Sequence, residues 1–301
     1  MNKIYNYLIY KLSNILKHNR ALIGNSYLKT ARLHYHQASN LRSTEYKVFS
    51  QYGEDGIIDF ILYMIGVKNE ISFIEIGVQS YEEANTRFLA ETKKSRGLLI
   101  DIDDQINFVK QRNFYWQNDM YVANTEVTPD NINSILENFN FLNSFDLLSL
   151  DIDGLDYWVL KEIDISKSKV VVAEYNPVFG YEKSLTIPNI ENFRRDNKLK
   201  SYFGMSIMAL INLMKKKNFT FIGTNSACCN AFFVNTYYED IFSKLEKLST
   251  DENVNFYFRE NKFNNSEQNK IENILKRIKH KEIYDIENKN NLTIGKIFSN
   301  N

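Results

Sequence analysis

The spacing of apolar positions divides the chain into three textures. In the first 48 residues apolar side chains recur three and four apart, at Ile4, Leu8, Leu12, Ile15 and Leu16, which predicts two helices and no strand. From Tyr52 a helical stretch runs to about Met64, opened by Gly53-Glu54-Asp55-Gly56, with two acids where a helix N-terminus favours negative charge. Short β-type runs then alternate with segments of helical composition. Strands are expected over 71–76, 97–102, 119–124, 146–151 and 170–174, with helices over 83–94, 104–113, 129–139 and 156–163 between them. This alternation predicts right-handed βαβ crossovers and a parallel sheet, an α/β fold.

Beyond Pro177 the pattern loosens. Residues 178–201 are polar and too long for an ordinary connection, which marks a functional or mobile segment. Ser206–Lys217 predicts a helix with Ile207, Leu210, Ile211 and Met214 on one face. Two short strands, Phe219–Gly223 and Asn230–Val234, should form a hairpin that closes the sheet. Residues 241–301 are rich in Asn and Lys, hold one expected helix at 267–283, and read as an appendage. The expected organisation is a helical extension over 1–48, a central α/β domain over 49–236, and a C-terminal extension over 237–301.

Composition narrows the functional classes. An apolar content of 44 % in 301 residues supports a sizeable core. Basic and acidic residues balance at 37 each, so no overall field gathers a polyanion, and nucleic acid is not an expected partner. Cys228 and Cys229 are adjacent, which argues against a structural disulfide and suits a reducing compartment. The N-terminal apolar stretch is too short and broken for a signal peptide, and no run approaches the ~20 apolar residues of a membrane span. The expectation is a soluble cytoplasmic protein, with a homo-oligomer left open. Packing on the main domain is preferred over peripheral membrane contact for the amphipathic N-terminus.

Acids close the strands. Phe73-Ile74-Glu75, Leu98-Leu99-Ile100-Asp101, Leu147-Leu148-Ser149-Leu150-Asp151 and Val170-Val171-Val172-Ala173-Glu174 each end an apolar run in a carboxylate. In an open parallel sheet, ligands bind beyond the carboxyl ends of the strands, so these acids should converge on one crevice. Glu75-Ile76-Gly77 followed at a fixed interval by Asp101 matches a nucleotide-binding βαβ unit, in which the glycine lets backbone approach the ligand and the second acid takes the ribose hydroxyls. The dinucleotide pattern G-x-G-x-x-G is absent, and a pyrophosphate would sit poorly beside Glu75, Glu82 and Glu83. S-adenosylmethionine, cationic and without phosphate, suits the acids better. Asn85 at a helix start is a further cofactor candidate, and Ile102 and Glu126 complete the expected cofactor contacts.

The second constellation is Asp151, Asp153, Glu174 and Asn176. Two carboxylates at ~4 Å repel by roughly 4 kcal/mol at an effective dielectric near 20, so acids held this close need a proton or a cation. Oxygen ligands of this kind suit Mg²⁺ or Mn²⁺. The four histidines, His18, His34, His36 and His280, all lie outside the expected catalytic core, so a carboxylate such as Asp153 is the expected general base. Arg194 and Arg195 are candidates for gripping a phosphate, and Tyr202 for flooring a sugar ring.

Ser50-Gln51-Tyr52-Gly53-Glu54-Asp55-Gly56-Ile57-Ile58, Phe73-Ile74-Glu75-Ile76-Gly77, Asn85-Thr86-Arg87, Leu150-Asp151-Ile152-Asp153-Gly154, Glu174-Tyr175-Asn176 and Asn230-Ala231-Phe232-Phe233-Val234 together resemble the FkbM-like methyltransferases of bacterial surface-polysaccharide and natural-product clusters. The resemblance covers about residues 48–235. It implies a Rossmann-like class I methyltransferase sheet, mostly parallel with an antiparallel C-terminal hairpin, and O-methylation of a sugar or related hydroxyl. The acids after the fourth and fifth strands also resemble the metal positions of macrolide-sugar and catechol O-methyltransferases. That match implies Asp151, Glu174 and Asn176 as ligands of Mg²⁺ (or Mn²⁺) and Asp153 as base, acting on a sugar or nucleotide-sugar. Two alternatives stand beside it: transfer to a phosphate or phosphoramidate oxygen, and a non-catalytic scaffold in polysaccharide assembly.

Overall fold

A computed structural model describes residues 2–196, 198–246 and 271–298. Helix α1 (Asn2–Ala31) opens the chain and α2 (Glu54–Met64) follows. The alternating region then gives β1 (Glu70–Ile76), α3 (Arg87–Thr92), β2 (Lys94–Asp101), α4 (Asn113–Gln117), β3 (Asp119–Asn124), α5 (Ile132–Asn138), β4 (Leu147–Leu150), α6 (Asp156–Glu162) and β5 (Val170–Glu174). After the two-residue β6 (Leu185–Thr186) come α7 (Ile207–Lys216), β7 (Phe219–Thr224) and β8 (Asn230–Asn235). The chain ends in α8 (Ile271–Ile278), β9 (Glu282–Asp285), β10 (Asn290–Thr293) and α9 (Ile294–Phe298).

Seven strands form one sheet in the order β3-β2-β1-β4-β5-β8-β7. The first five are parallel, while β8 runs antiparallel to both β5 and β7, the Rossmann-like arrangement with a terminal hairpin that the resemblance implied. Continuous apolar runs form these strands because both sheet faces are covered. Ile74, Leu98, Leu148 and Val171 point into one core with Leu136, Leu160 and Leu210, and Phe73, Leu99, Leu147 and Val170 into the other with Ile57, Phe60 and Ile61. The strand pleat sends alternate residues to opposite cores.

Both terminal regions differ from expectation. The N-terminus forms a single 30-residue helix, followed by 3₁₀ turns at Arg32–Gln37 and Leu41–Thr44, rather than two helices. Gly24 does not interrupt α1; it is where the helix meets the body, since a Cβ there would lie 2.6 Å from Val48 Cγ2. The C-terminal residues also do more than trail. β9 pairs with both β10 and β6, and Ile274, Ile278, Ile283 and Ile294 bury against Val178, Phe179, Leu185 and Tyr202. This small third core pins the 178–205 segment over the main sheet. The first four residues of the helix expected over 267–283 lie outside the described residues.

Candidate functional site

Register explains how the acids meet. Ile76 pairs with Ile100 on one side and Leu150 on the other, and Leu150 pairs with Ala173. The next residue of each strand is therefore Gly77, Asp101, Asp151 and Glu174, one row across four neighbouring strands at the carboxyl edge. These four line a single cavity of about 530 Å³, together with Asp153, Ile102, Glu126, Arg194 and Arg195.

Gly77 sits at φ +88, and a Cβ there would fall 1.5 Å from the carbonyl oxygen of Asp151. The glycine is thus demanded by contact between the β1 and β4 ends. After it the loop turns through Gln79 (φ 47) and Tyr81 (φ 57), left-handed conformations that cost non-glycine residues of order 1 kcal/mol or more each. Buried groups hold it there. The Tyr81 hydroxyl meets Thr86 Oγ1 at 2.7 Å, and buried Arg87 donates to the carbonyls of Tyr81 and Glu82 at 3.1 and 3.0 Å while stacking on Phe49. Asp101 accepts the amides of Gln79 (2.6 Å) and Asp103 (2.7 Å) on separate oxygens. Each oxygen keeps a second lone pair for a further donor. Ile102 and Val127 add apolar wall, and Glu126 lies at the rim.

Glu75 and Asn85 fall elsewhere. Glu75 occupies a row deeper, level with Leu99 and Ser149, and does not line the cavity. Its oxygens accept the amides of Asn85 (2.8 Å) and Thr86 (2.9 Å), with the Thr86 hydroxyl. Burial, opposed by these bonds, pushes its carboxyl up to about 7. Asn85 donates to Ser149 Oγ at 3.1 Å, also away from the cavity. The expected cofactor contacts of both residues give way to a fastening beneath the loop.

At the other end of the row, Asp151, Asp153 and Glu174 each present an oxygen within 4.8 Å of the others. Burial, then the charges of Asp153 and Asp156, push Asp151 up to about 8. Burial and Asp151 push Glu174 well above the carboxylate range, and its Oε2 is buried with no donor facing it. Asp153 adopts φ +52, held by Asp156, whose carboxylate accepts the amides of Ile152 and Gly154, both at 2.9 Å. Arg195 bonds to Asp153, donates to the Lys200 carbonyl at 2.6 Å and stacks 4.0 Å over Phe203. Arg194 grips both oxygens of Glu126 at 2.6 and 2.8 Å, holding that carboxylate below its ordinary range.

Asn176 and Tyr202 stand apart. Asn176 is fully buried, its amide donates to the carbonyls of Ser201 (2.9 Å) and Phe203 (3.0 Å), and its oxygen accepts the Val178 amide (3.1 Å). With its oxygen turned to the backbone it does not join the ligand cluster, and Asp153 takes the third place. Tyr202 is buried in the third core and donates to the Glu282 carbonyl at 2.5 Å, so Phe203 rather than Tyr202 faces the cavity.

Sequence reasoning missed the N-terminal contribution. Gln51 and Tyr52 line the cavity, as do Cys228 and Cys229 from the β7–β8 connection and Asn230 at the start of β8. Buried Glu54 joins the two stretches, accepting from Asn225 Nδ2 (2.7 Å), Asn230 Nδ2 (2.9 Å) and the Tyr52 amide (2.8 Å). Asp55 gathers the amides of Val48, Phe49 and Ser50 on one oxygen at 2.7–2.8 Å. Two acids with nothing basic beside them in sequence, ahead of an apolar helix, were the available signal.

The cavity wall carries six carboxylates (Asp101, Asp103, Glu126, Asp151, Asp153 and Glu174) against two arginines, a charge balance that fits a cationic ligand and a metal ion. The model of the methyltransferase FkbM domain matches residues 59–221, which contain the whole register row. No curated protein matches the chain. Among solved structures, the N-terminal domain of EvdMO1 with SAH bound is 11 % identical, the match covering 60 % of this chain and 80 % of that one at a TM-score of 0.39. A SAM-dependent methyltransferase from Aquifex aeolicus is 10 % identical, covering 61 % and 90 % with a TM-score of 0.37.

Proposed function

Because the chain belongs to the FkbM methyltransferases, S-adenosylmethionine-dependent enzymes, we propose that it methylates a hydroxyl of a sugar, carried on a nucleotide or on a surface-polysaccharide precursor, with Mg²⁺ assistance. The observation that carries this reading is the division of one register row: Gly77 and Asp101 at one end of the cavity, Asp151, Asp153 and Glu174 at the other.

The donor set fits both groups. Asp101 would hold the ribose and Ile102 the adenine side, while the surplus of acid suits a sulfonium. Asp151, Asp153 and Glu174 would hold the metal. The raised protonation of Asp151 and Glu174 and the partnerless Glu174 Oε2 are what a cation site looks like to its own ligands, since like charges this close need a counter-charge. When bound, S-adenosylmethionine supplies an electrophilic methyl group and the metal lowers the acidity threshold of an oxygen it touches.

The chain's own residues do the rest. Asp153, more exposed than the buried carboxylates of Asp151 and Glu174, takes the proton of the acceptor hydroxyl. Its left-handed backbone and the Asp156 clasp aim it at the cavity, and Arg195 sets its orientation. Gly77, by its contact with Asp151, fixes the distance between the cofactor end and the acid cluster. Arg194 and Arg195 on the 188–200 segment favour an acceptor with phosphate oxygens, as a nucleotide-sugar has.

Calorimetry with S-adenosylmethionine and its demethylated product tests the cofactor end, and absence of binding would sink the reading. Nucleotide-sugars incubated with cofactor and followed by mass spectrometry should gain one methylene. Turnover undiminished in EDTA removes the metal and leaves the transferase. Full biological activity in an Asp151→Asn, Asp153→Asn double variant would instead favour a scaffold.

A further inference from the structure

Helix α1 buries one side against the body and leaves the opposite side apolar. Ala21, Gly24 and Leu28 pack toward Val48, Phe49 and Phe88. At ~100° per residue, Tyr5, Leu12, Ile15, Leu16, Leu22 and Ile23 fall within about 120° of arc on the other side, and each is more than half exposed. A soluble helix normally shows the reverse arrangement, polar outside and apolar inside. Six large apolar side chains along one exposed helix are a patch that needs an occupant.

The charges choose that occupant. The chain as a whole balances 37 basic against 37 acidic residues, yet α1 holds Lys3, Lys11, Lys17, Arg20 and Lys29 with no Asp or Glu. On the same helical projection Lys11 and Lys29 fall along one edge of the apolar arc and Arg20 along the other, where its guanidinium also lies 5.5 Å over the Phe49 ring. Lys17, on the body side, is answered by Glu82 at 2.7 Å. A second copy laid against this face would bring basic flank to basic flank with no acid in either helix to compensate. An anionic lipid surface meets both features at once: acyl chains for the arc, headgroup phosphates for its edges. No helix among the described residues is long and apolar enough to cross a membrane, so the contact is one of lying on the surface.

We propose that the exposed face of α1 docks the protein on an anionic membrane surface, which goes beyond the methyl-transfer reading and is independent of it. The face is not part of the cavity, and none of its residues lines it.

The test is sedimentation of the full-length protein with phosphatidylcholine vesicles, with and without about a third phosphatidylglycerol. The expected result is binding to the anionic vesicles at least tenfold tighter than to the neutral ones and weakened by high salt. A Leu16→Glu, Ile23→Glu variant should lose tenfold or more of that binding, with an unchanged circular-dichroism spectrum and unchanged S-adenosylmethionine affinity. Lys11→Gln, Lys29→Gln should lose binding without touching the apolar arc. Failure of the wild-type protein to bind anionic vesicles would overturn the proposal, as would equal binding by the Glu variant. Light scattering that shows a dimer split by the Glu variant, with no vesicle binding by either protein, would assign the face to a second copy instead.

Discussion

Glu174→Gln tests the acid cluster most directly. Asp151 and Glu174 lie within 4.8 Å of each other, and both are pushed upward, Asp151 to about 8. A carboxyl whose folded pKa is raised adds stability that is complete below its unfolded value near 4 and is lost as pH climbs through the folded value. In EDTA, wild-type stability should therefore decline from about pH 5 to pH 9. At the upper end Glu174 either keeps its proton against the solution or ionises beside Asp151. Repulsion at 4.8 Å, the outer limit of their separation, and an effective dielectric of 20 is about 3.5 kcal/mol, which sets the scale of that cost. The pair opens to cavity water on one side, which brings the expected effect to about 2 kcal/mol. The glutamine keeps the shape, carries no charge and donates to Asp151. Urea denaturation in EDTA at pH 9 should then find Glu174→Gln more stable than wild type by about 2 kcal/mol, with the difference vanishing near pH 5. Millimolar Mg²⁺ should restore the wild type at pH 9 and leave the variant unmoved. Parallel pH curves for the two proteins would refute the reasoning, because they would mean that the acids do not interact.

Three further outcomes follow from the packing. Asn176→Ala removes three buried hydrogen bonds and should cost about 2–4 kcal/mol of stability by urea denaturation, while metal-dependent stabilisation of the folded fraction persists. Gly77→Ala forces a Cβ into the Asp151 carbonyl and should abolish S-adenosylmethionine binding by calorimetry, with a stability loss above about 3 kcal/mol if the protein folds. Arg195→Met should raise KM for a phosphate-bearing acceptor about tenfold or more while sparing cofactor affinity; an unchanged KM would remove Arg195 from acceptor binding.

Most of the sheet was legible because its strands are buried on both faces and so read as unbroken apolar runs. The helices were harder to bound. The expected 104–113 helix divides into a 3₁₀ stretch, Asp104–Gln111, and α4, where an early Asp103 cap and Arg112 in extended conformation break the turn. The site was legible in part for a reason visible at single residues. Asp101, Asp151 and Glu174 stand at or just past the last paired residue of their strands, whereas Glu75 is followed by Ile76, still paired within β1, and that single position puts it below the floor of the cavity; Ile102 and Ile152, which follow Asp101 and Asp151, hide this difference in the sequence. Asn176 could not have been placed from its neighbours, because its partners at Ser201 and Phe203 lie some 25 residues ahead and are brought back by the third core. The same holds for Glu54, whose partners Asn225 and Asn230 come from the far end of the domain.

Neighbouring strands in a sheet lie about 4.8 Å apart, and that pitch belongs to backbone hydrogen bonding, not to any side chain. Asp101, Gly77, Asp151 and Glu174 stand on consecutive strands of one row, so Asp101 and Glu174 are three pitches apart, about 14 Å, whatever surrounds them. The backbone thus acts as a ruler between the two ends of the cavity. On the proposed reading of the cavity, substitutions in the 188–200 segment or the β7–β8 connection would retune which acceptor enters without changing the ruler. A lineage built on this sheet can therefore exchange acceptors while the reach of the transfer stays constant.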